Sequence, residues 1–109
     1  MIKKIFISSC LLLLGCNRSN NLGIYTQKID CEDCLVTKEE TAVKIAIPIL
    51  VETYGEDKIE SERPYKVSIE NDSIWNIEGS YNSIGCCGGV FEMQISAKDG
   101  RVLYMMHGK

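Results

Sequence analysis

The chain has 109 residues, of which 45% are hydrophobic and 25% are charged, and its formal net charge is −3. This length suits one domain with a modest core, and the sequence shows no internal repeat. The excess of 15 acidic over 12 basic residues excludes the basic surface that nucleic acid or anionic lipid would require, and it favours encounters with a cationic partner.

The first residues have the layout of an export signal. Lys3 and Lys4 precede an apolar run over 5–14, which is too short to cross a bilayer because a spanning helix needs roughly twenty residues. The run leads into Leu13-Leu14-Gly15-Cys16, which resembles the lipobox of bacterial lipoproteins. The resemblance implies that residues 1–15 are a signal peptide that is cut away and that Cys16 carries a lipid anchor.

Residues 16–23 are polar and lack periodicity, which is typical of a flexible tether. Asn17 follows the lipidated position, where an aspartate would act as an inner-membrane retention signal, so an outer-membrane location facing the periplasm is favoured. Without residues 1–15, ten basic and 15 acidic residues remain, a net charge of −5. A single domain is then expected over residues 24–109.

A loop over 27–36 precedes the pattern of an amphipathic helix. Thr37 can act as its N-cap, and Glu40 three residues later completes a capping box. Gly55 is the natural end of the helix, and Pro48 predicts either a kink or a division into two shorter helices. The apolar residues between them have the spacing of one helical face: Ala42, Val43, Ala46, Ile47, Leu50, Val51 and Tyr54.

After a charged connection over 56–63, the hydrophobic period changes from 3.6 to 2. This alternation predicts three strands, with inward residues at Tyr65, Val67 and Ile69, at Trp75, Ile77, Gly79 and Tyr81, and at Phe91, Met93, Ile95 and Ala97. Val102 to His107 is the fourth and last strand. Asn71-Asp72 and Lys98-Asp99-Gly100-Arg101 are turn sequences, with Gly100 free to adopt a positive φ. The expected fold is α+β, with one amphipathic helix packed on a four-stranded antiparallel meander.

Cys10 leaves with the signal and Cys16 carries the lipid, so four cysteines remain: Cys31, Cys34, Cys86 and Cys87. An even number in an exported protein predicts structural disulfides, and the sequence does not select among the three pairings. Two bridges from the first loop to the second are the easier arrangement, because adjacent cysteines bond only through a strained ring. Each bridge is expected to stabilise the domain by about 2–4 kcal/mol.

Two other roles for these cysteines stay open. Cys31 and Cys34 have the spacing of a redox dithiol, but Glu32 and Asp33 between them disfavour the thiolate. A zinc site of four sulfurs is possible by ligand count, and an oxidising compartment disfavours it. Structural disulfides are therefore the preferred interpretation.

The remaining residues predict no catalytic centre. His107 is the single histidine, and without a neighbouring nucleophile motif it is expected at the surface or at a sheet edge. The acids form no pair with assignable acid and base roles. Trp75 is expected in the core. No enzyme activity, cofactor or metal is predicted.

The order of landmarks from residue 39 to residue 109 resembles a known family. Trp75 lies in Ile74-Trp75-Asn76-Ile77-Glu78-Gly79, followed by Gly88-Gly89, by Asp99-Gly100 in a turn and by the ending His107-Gly108-Lys109. This set resembles the immunity proteins of the nuclear-transport-factor-two-like fold, which protect bacteria against polymorphic toxins. The resemblance implies a helix on a curved sheet, here in a reduced, cystatin-like form, that neutralises a toxin by binding without catalysis.

The anchor and the resemblance together predict a monomeric immunity protein bound to the membrane through its lipid. Its protein partner would be a toxin that acts in the periplasm or at the envelope, such as a cell-wall hydrolase or a lipase, and the acidic charge of the chain favours a basic toxin. Two alternatives remain: an envelope inhibitor of a host hydrolase such as lysozyme, and a thiol-redox or metal-binding lipoprotein.

Overall fold

The computed structural model describes residues 24–81 and 89–108. Its elements are α1 (Glu39–Tyr54), α2 (Glu56–Glu60), β1 (Lys66–Glu70), β2 (Ile74–Glu78), β3 (Phe91–Ser96) and β4 (Val102–His107). The strands form one antiparallel sheet in the order β1-β2-β3-β4, and α1 packs against one face of it. The predicted helix on a four-stranded meander is confirmed.

Several predicted features lie outside the described residues: the signal and tether, Cys16, Cys86, Cys87, Gly88 and Lys109. Within the described ranges, no helix is long and apolar enough to span a membrane.

The start of α1 differs from the predicted capping box. The N-cap is Lys38 and its side chain makes no capping hydrogen bond, so the prediction of Thr37 and Glu40 as a capping pair is wrong. The preceding loop supplies the partners instead: Glu39 N donates to Gln27 O at 2.9 Å, and Gln27 N donates to Glu39 Oε1 at 2.8 Å. These bonds satisfy a helix-terminal N–H that would otherwise lack an acceptor.

One continuous helix passes through Pro48, so the alternative of two shorter helices in this segment is wrong. Pro48 is exposed, which places its missing backbone bond away from the core. Gly55 ends the helix at φ 99°, with its N–H donating to Val51 O at 2.8 Å. The charged connection that follows contains α2, whose one buried residue is Ile59.

The core lies between α1 and the inner face of the sheet. Trp75 pairs with Ile95 and Ile77 pairs with Met93 across β2 and β3, and all four are buried. Val43 and Leu50 are among the α1 residues that cover them. Trp75 is fully buried and its Nε1 donates to Val36 O at 2.8 Å, so the predicted core position is confirmed.

The turns follow the predicted chemistry, while one strand ends earlier than expected. Asn71 and Asp72 both have positive φ, 54° and 58°, as a tight hairpin turn requires, and Gly100 has φ 79°. β2 ends at Glu78. Tyr81 therefore lies beyond the strand with 58% of its surface exposed, and its predicted inward position is wrong.

Candidate functional site

The face of the sheet opposite α1 is polar and contains a groove of about 460 Å³. The alternation that points Trp75 and Ile77 into the core points Asn76 and Glu78 the other way. We call this the outer face. Its side chains form two rows across the strands, one of Lys66, Glu78, Glu92 and Met106 and one of Ser68, Asn76, Gln94 and Tyr104.

Hydrogen bonds between side chains fix the floor of the groove. Gln94 Nε2 donates to Asn76 Oδ1 at 2.8 Å, and Asn76 Nδ2 donates to Glu70 Oε1 at 2.9 Å. Gln94 Nε2 also lies 3.2 Å from the same oxygen of Glu70. Because these groove side chains already hold one another in place, they lose less conformational entropy when a partner binds than mobile surface side chains would.

The other row of the outer face carries an electrostatic cost. Glu78 lies directly opposite Glu92 across β2 and β3, and like charges in this position destabilise a sheet. Lys66, opposite Glu78 on β1, is the one cation of the row. In residues 24–81 and 89–108, no ion pair within 4 Å involves either glutamate. The groove is therefore an acidic surface whose charge is not balanced locally.

The β4 side of the groove is partly apolar. Tyr104 and Met106 are 45% and 38% exposed at this edge of the sheet. Aromatic residues and methionine are enriched at protein–protein interfaces, because they offer a large contact area at low entropic cost. The outer face thus combines an ordered amide floor, an acidic row and an apolar edge.

A second polar cluster lies on the inner side of the sheet, where Glu62 and His107 form a buried pair. Glu62 Oε2 lies 2.6 Å from His107 Nε2, and the two side chains are 7% and 11% exposed. Glu62 Oε1 accepts from Phe91 N at 2.9 Å, and His107 Nδ1 lies 2.8 Å from Gly108 O. Both ring nitrogens therefore lie within hydrogen-bond distance of a protein oxygen.

The pair was not predicted from the sequence. His107 is on an edge strand, as expected, and its side chain is only 11% exposed, because the Tyr54 ring lies 5.2 Å away between centroids and Glu62 Oε2 lies against its Nε2. Glu62 is separated from it by 45 positions, so no local pattern connects them. The sequence signal for it was Gly79, a glycine within a predicted strand. In the structure, a Cβ at Gly79 would lie 2.5 Å from Glu62 Oε1.

Chemically, the Glu62–His107 pair is an internal cross-link. Both oxygens of the carboxylate and both nitrogens of the ring are directed at protein atoms. A general acid or base needs a free position from which to reach a substrate proton. In the pair these positions are taken by protein atoms, and the contacts join the segment after α2 to the ends of β3 and β4.

The residues of the family motif support the fold and do not line the groove. Trp75 is core, and Gly100 occupies a positive-φ turn position. Arg101 N donates to Asp99 Oδ1 at 3.0 Å, and this bond lowers the pKa of Asp99 below its usual value. Gly108 packs so closely on Gly89 that a Cβ would lie 3.1 Å from the Cα of Gly89.

The cysteine loop differs from the preferred prediction. Cys31 and Cys34 form a disulfide with each other, with a Cα separation of 5.3 Å, so neither is bridged to the second loop. A bridge between residues three positions apart restricts the unfolded chain much less than a long-range bridge does. Asp33 is close to both sulfurs, but bonded sulfurs are not the thiolates that zinc binds.

Backbone bonds hold this loop on the sheet without the predicted cross-links. Leu35 N and Val36 N donate to Ala97 O at 3.0 and 2.8 Å. Lys98 Nζ lies 3.6 Å from Asp33 Oδ2, and both side chains are largely exposed, so this ion pair adds little. The loop is anchored by its main chain and by the Trp75 indole.

Comparison with known proteins places the fold and its motif in a family. Residues 41–109 match the family described as NTF2 fold immunity protein. The chain belongs to this family. The matched region of the NTF2 fold immunity protein contains all four strands and most of α1, and it begins after the Cys31–Cys34 loop.

Two relatives come from Escherichia coli strain K12. The uncharacterized protein YhhH is 37% identical over 75 residues, which cover 69% of this chain and 58% of YhhH. The chain thus spans little more than half the length of that relative. The uncharacterized protein YbbC is 32% identical over 113 positions, which cover 93% of this chain and 92% of YbbC. No solved structure matches the chain significantly.

Proposed function

We propose that this immunity protein is attached to the cell envelope through a lipid on Cys16, and that it binds and neutralises a toxin acting in the periplasm or at the envelope. The observation that carries the immunity role is the family match over residues 41–109. The lipobox-like Leu13-Leu14-Gly15-Cys16 carries the location.

The arrangement of polar groups supports binding over catalysis. The buried acid and base, Glu62 and His107, are fully occupied by protein partners. The polar groups that solvent reaches lie on the outer face, where Asn76 and Gln94 are held in fixed positions. Preorganised polar groups beside an apolar edge suit recognition of a folded partner. Neutralisation then consists of covering a functional surface of the toxin.

The anchoring half of the proposal is tested by mass spectrometry of the chain produced in a diderm bacterium. A mature species that begins at Cys16 and carries acyl groups is expected, together with membrane fractionation. The Cys16→Ser variant should keep residues 1–15 and lose the acyl mass. An unacylated wild-type chain beginning at Met1 would contradict the proposed location.

The neutralising half is tested with a toxin captured from the native envelope. The captured protein is produced with and without an export signal, alone and together with the full-length chain. Killing should require export, and the chain should restore growth. As a control, the chain without residues 1–23 stays in the cytoplasm and should not protect. Full killing in the presence of excess exported chain would contradict the proposal.

A further inference from the structure

Within the described registers of the four-stranded sheet, Glu78 and Glu92 on the outer face are the one directly opposed pair of like charges. Side chains directly opposite in an antiparallel pair have Cβ atoms only about 4.5–5.5 Å apart. A single ammonium or guanidinium group between these two carboxylates could contact both. Such a contact would turn a repulsion within the free protein into two attractions within a complex.

We infer that the outer groove binds an extended segment of the partner protein that carries lysine or arginine, with one cationic group inserted between Glu78 and Glu92. The inference rests on the proposed function for the identity of that partner as a toxin. It adds the partner's chemistry and the surface that it occupies.

The rest of the groove fits the same occupant. Its volume of about 460 Å³ accommodates a short segment and not a domain. Tyr104 and Met106 offer apolar surface to the aliphatic stem of a basic side chain, and the Tyr104 ring can also attract the cation. Asn76 and Gln94 supply amide groups that can pair with the main chain of an extended peptide.

Glu92 provides a test that separates a binding role from a structural one. Its cross-strand neighbours in the row are Glu78, which repels it, and Met106, which is neutral. The isosteric change Glu92→Gln therefore removes repulsion from the free chain and a cation partner from the complex. It should raise the melting temperature by about 2 °C, and it should weaken binding by about fivefold. A residue with only a structural role would not show effects of opposite sign.

The binding experiment uses the full-length chain in nonionic detergent and a defined probe. The ¹⁵N-labelled chain is titrated with a peptide that alternates lysine and serine, and separately with a peptide that alternates glutamate and serine. With the lysine peptide, shifts are expected at the amides of β1 to β4 that border the groove, and they should disappear at high salt. Equal shifts with both peptides, or shifts spread over the whole surface, would overturn the inference.

A matched variant controls for net charge. Asp30 and Glu52 are exposed acids outside the outer face and engage in no ion pair within the described ranges. The double change Asp30→Asn and Glu52→Gln should leave peptide binding unchanged. The double change Glu78→Gln and Glu92→Gln should weaken it by about tenfold. Equal weakening by both double variants would show that only overall charge matters and would reject the assigned site.

The captured toxin distinguishes failure of this inference from failure of the proposed function. If the wild-type chain neutralises the toxin and the Glu78→Gln, Glu92→Gln variant does so at equal concentrations, the groove is not the docking surface, although the immunity role stands. If the wild-type chain does not neutralise the toxin, the proposed function fails, and the peptide titration still decides whether the groove binds cations.

Discussion

The two faces of the sheet are built from alternate residues of the same strands, yet their polar groups are organised in different ways. On the inner side, Glu62 and His107 are buried and saturated by contacts with backbone and ring atoms. On the outer face, Asn76 and Gln94 bond to each other and remain accessible. The motif residues within the described ranges stabilise the fold: Trp75, Gly89, Asp99, Gly100, His107 and Gly108. The motif therefore marks the fold of the family, while the residues of the outer face can determine which partner is bound.

The largest expected effect comes from breaking the buried pair. His107→Leu leaves the buried Glu62 side chain without one of its hydrogen-bond partners, so we expect the free energy of unfolding to fall by about 3 kcal/mol. Glu62→Gln should cost less, because the amide oxygen can still accept from Phe91 N and the amide nitrogen can donate to His107 Nε2. Urea denaturation measures both. Similar losses for the two variants would show that the hydrogen bond to His107 is not the stabilising feature.

Gly79→Ala tests the packing of the same region from the residue that follows β2. The added Cβ would lie 2.5 Å from Glu62 Oε1 and 2.8 Å from Glu62 Cβ, so the buried side chain must shift. We expect a loss of about 1–3 kcal/mol in the free energy of unfolding. In a Glu62→Gly background both contacting atoms of Glu62 are absent, so the two effects should be strongly non-additive. Simple additivity in this double-mutant cycle would contradict close packing of Gly79 on Glu62.

The sequence predicted what local rules determine. Strand alternation, the Asn71-Asp72 turn and the Gly100 hairpin depend on residues within a few positions of one another, and all three are confirmed. The outer row of Glu78 and Glu92 also follows from alternation, but its opposition of charges requires the register between two strands that are separated by a loop. The groove was therefore not predicted from the sequence, which showed only the net acidic charge of the chain.

What the sequence missed depends on competition between distant partners. Gln27 displaced the predicted Thr37 cap because the loop before α1 returns to the helix start. Cys34 is bonded to the nearby Cys31, although the number of cysteines equally allows disulfides from this loop to Cys86 and Cys87. The sequence does not distinguish Glu62 from the other charged residues of its connection, because only folding brings it next to His107. For Gln27 and Glu62 the deciding contact lies outside any local pattern, whereas the Cys31–Cys34 bridge is local.

A smaller effect is expected at Tyr65, a buried residue immediately before β1. Its hydroxyl donates to Ile59 O at 3.0 Å, so Tyr65→Phe should cost about 1 kcal/mol near neutral pH. Burial raises the pKa of Tyr65 above its usual value, so the folded state holds this proton more tightly than the unfolded state does. The resulting stability is complete below pH of about 10 and is lost as the pH rises further.

The pH dependence is measured by urea denaturation from pH 8 upward. Wild type should lose stability more steeply above pH of about 10 than Tyr65→Phe does. Burial also raises the pKa of Tyr25, which remains in both proteins and supplies the same background slope. Parallel curves for the two proteins would show that the Tyr65 hydroxyl titrates equally in the folded and unfolded states.

The smallest effect on stability should come from the groove floor. The comparison of the two faces predicts that changes on the outer face cost less stability than changes at the Glu62–His107 pair. Asn76→Ala removes one acceptor of Gln94 and one donor to Glu70, but water can reach both remaining groups, so we expect a loss of only about 0.5 kcal/mol. The Gln94 side-chain amide should become mobile, with a lower ¹⁵N order parameter, because its well-aligned acceptor at 2.8 Å is gone. Binding of the lysine peptide should weaken by more than the stability changes, because a mobile floor must be ordered again on association. If Asn76→Ala instead destabilised the fold as much as His107→Leu does, the outer network would be part of the scaffold and the division of roles between the faces would be wrong.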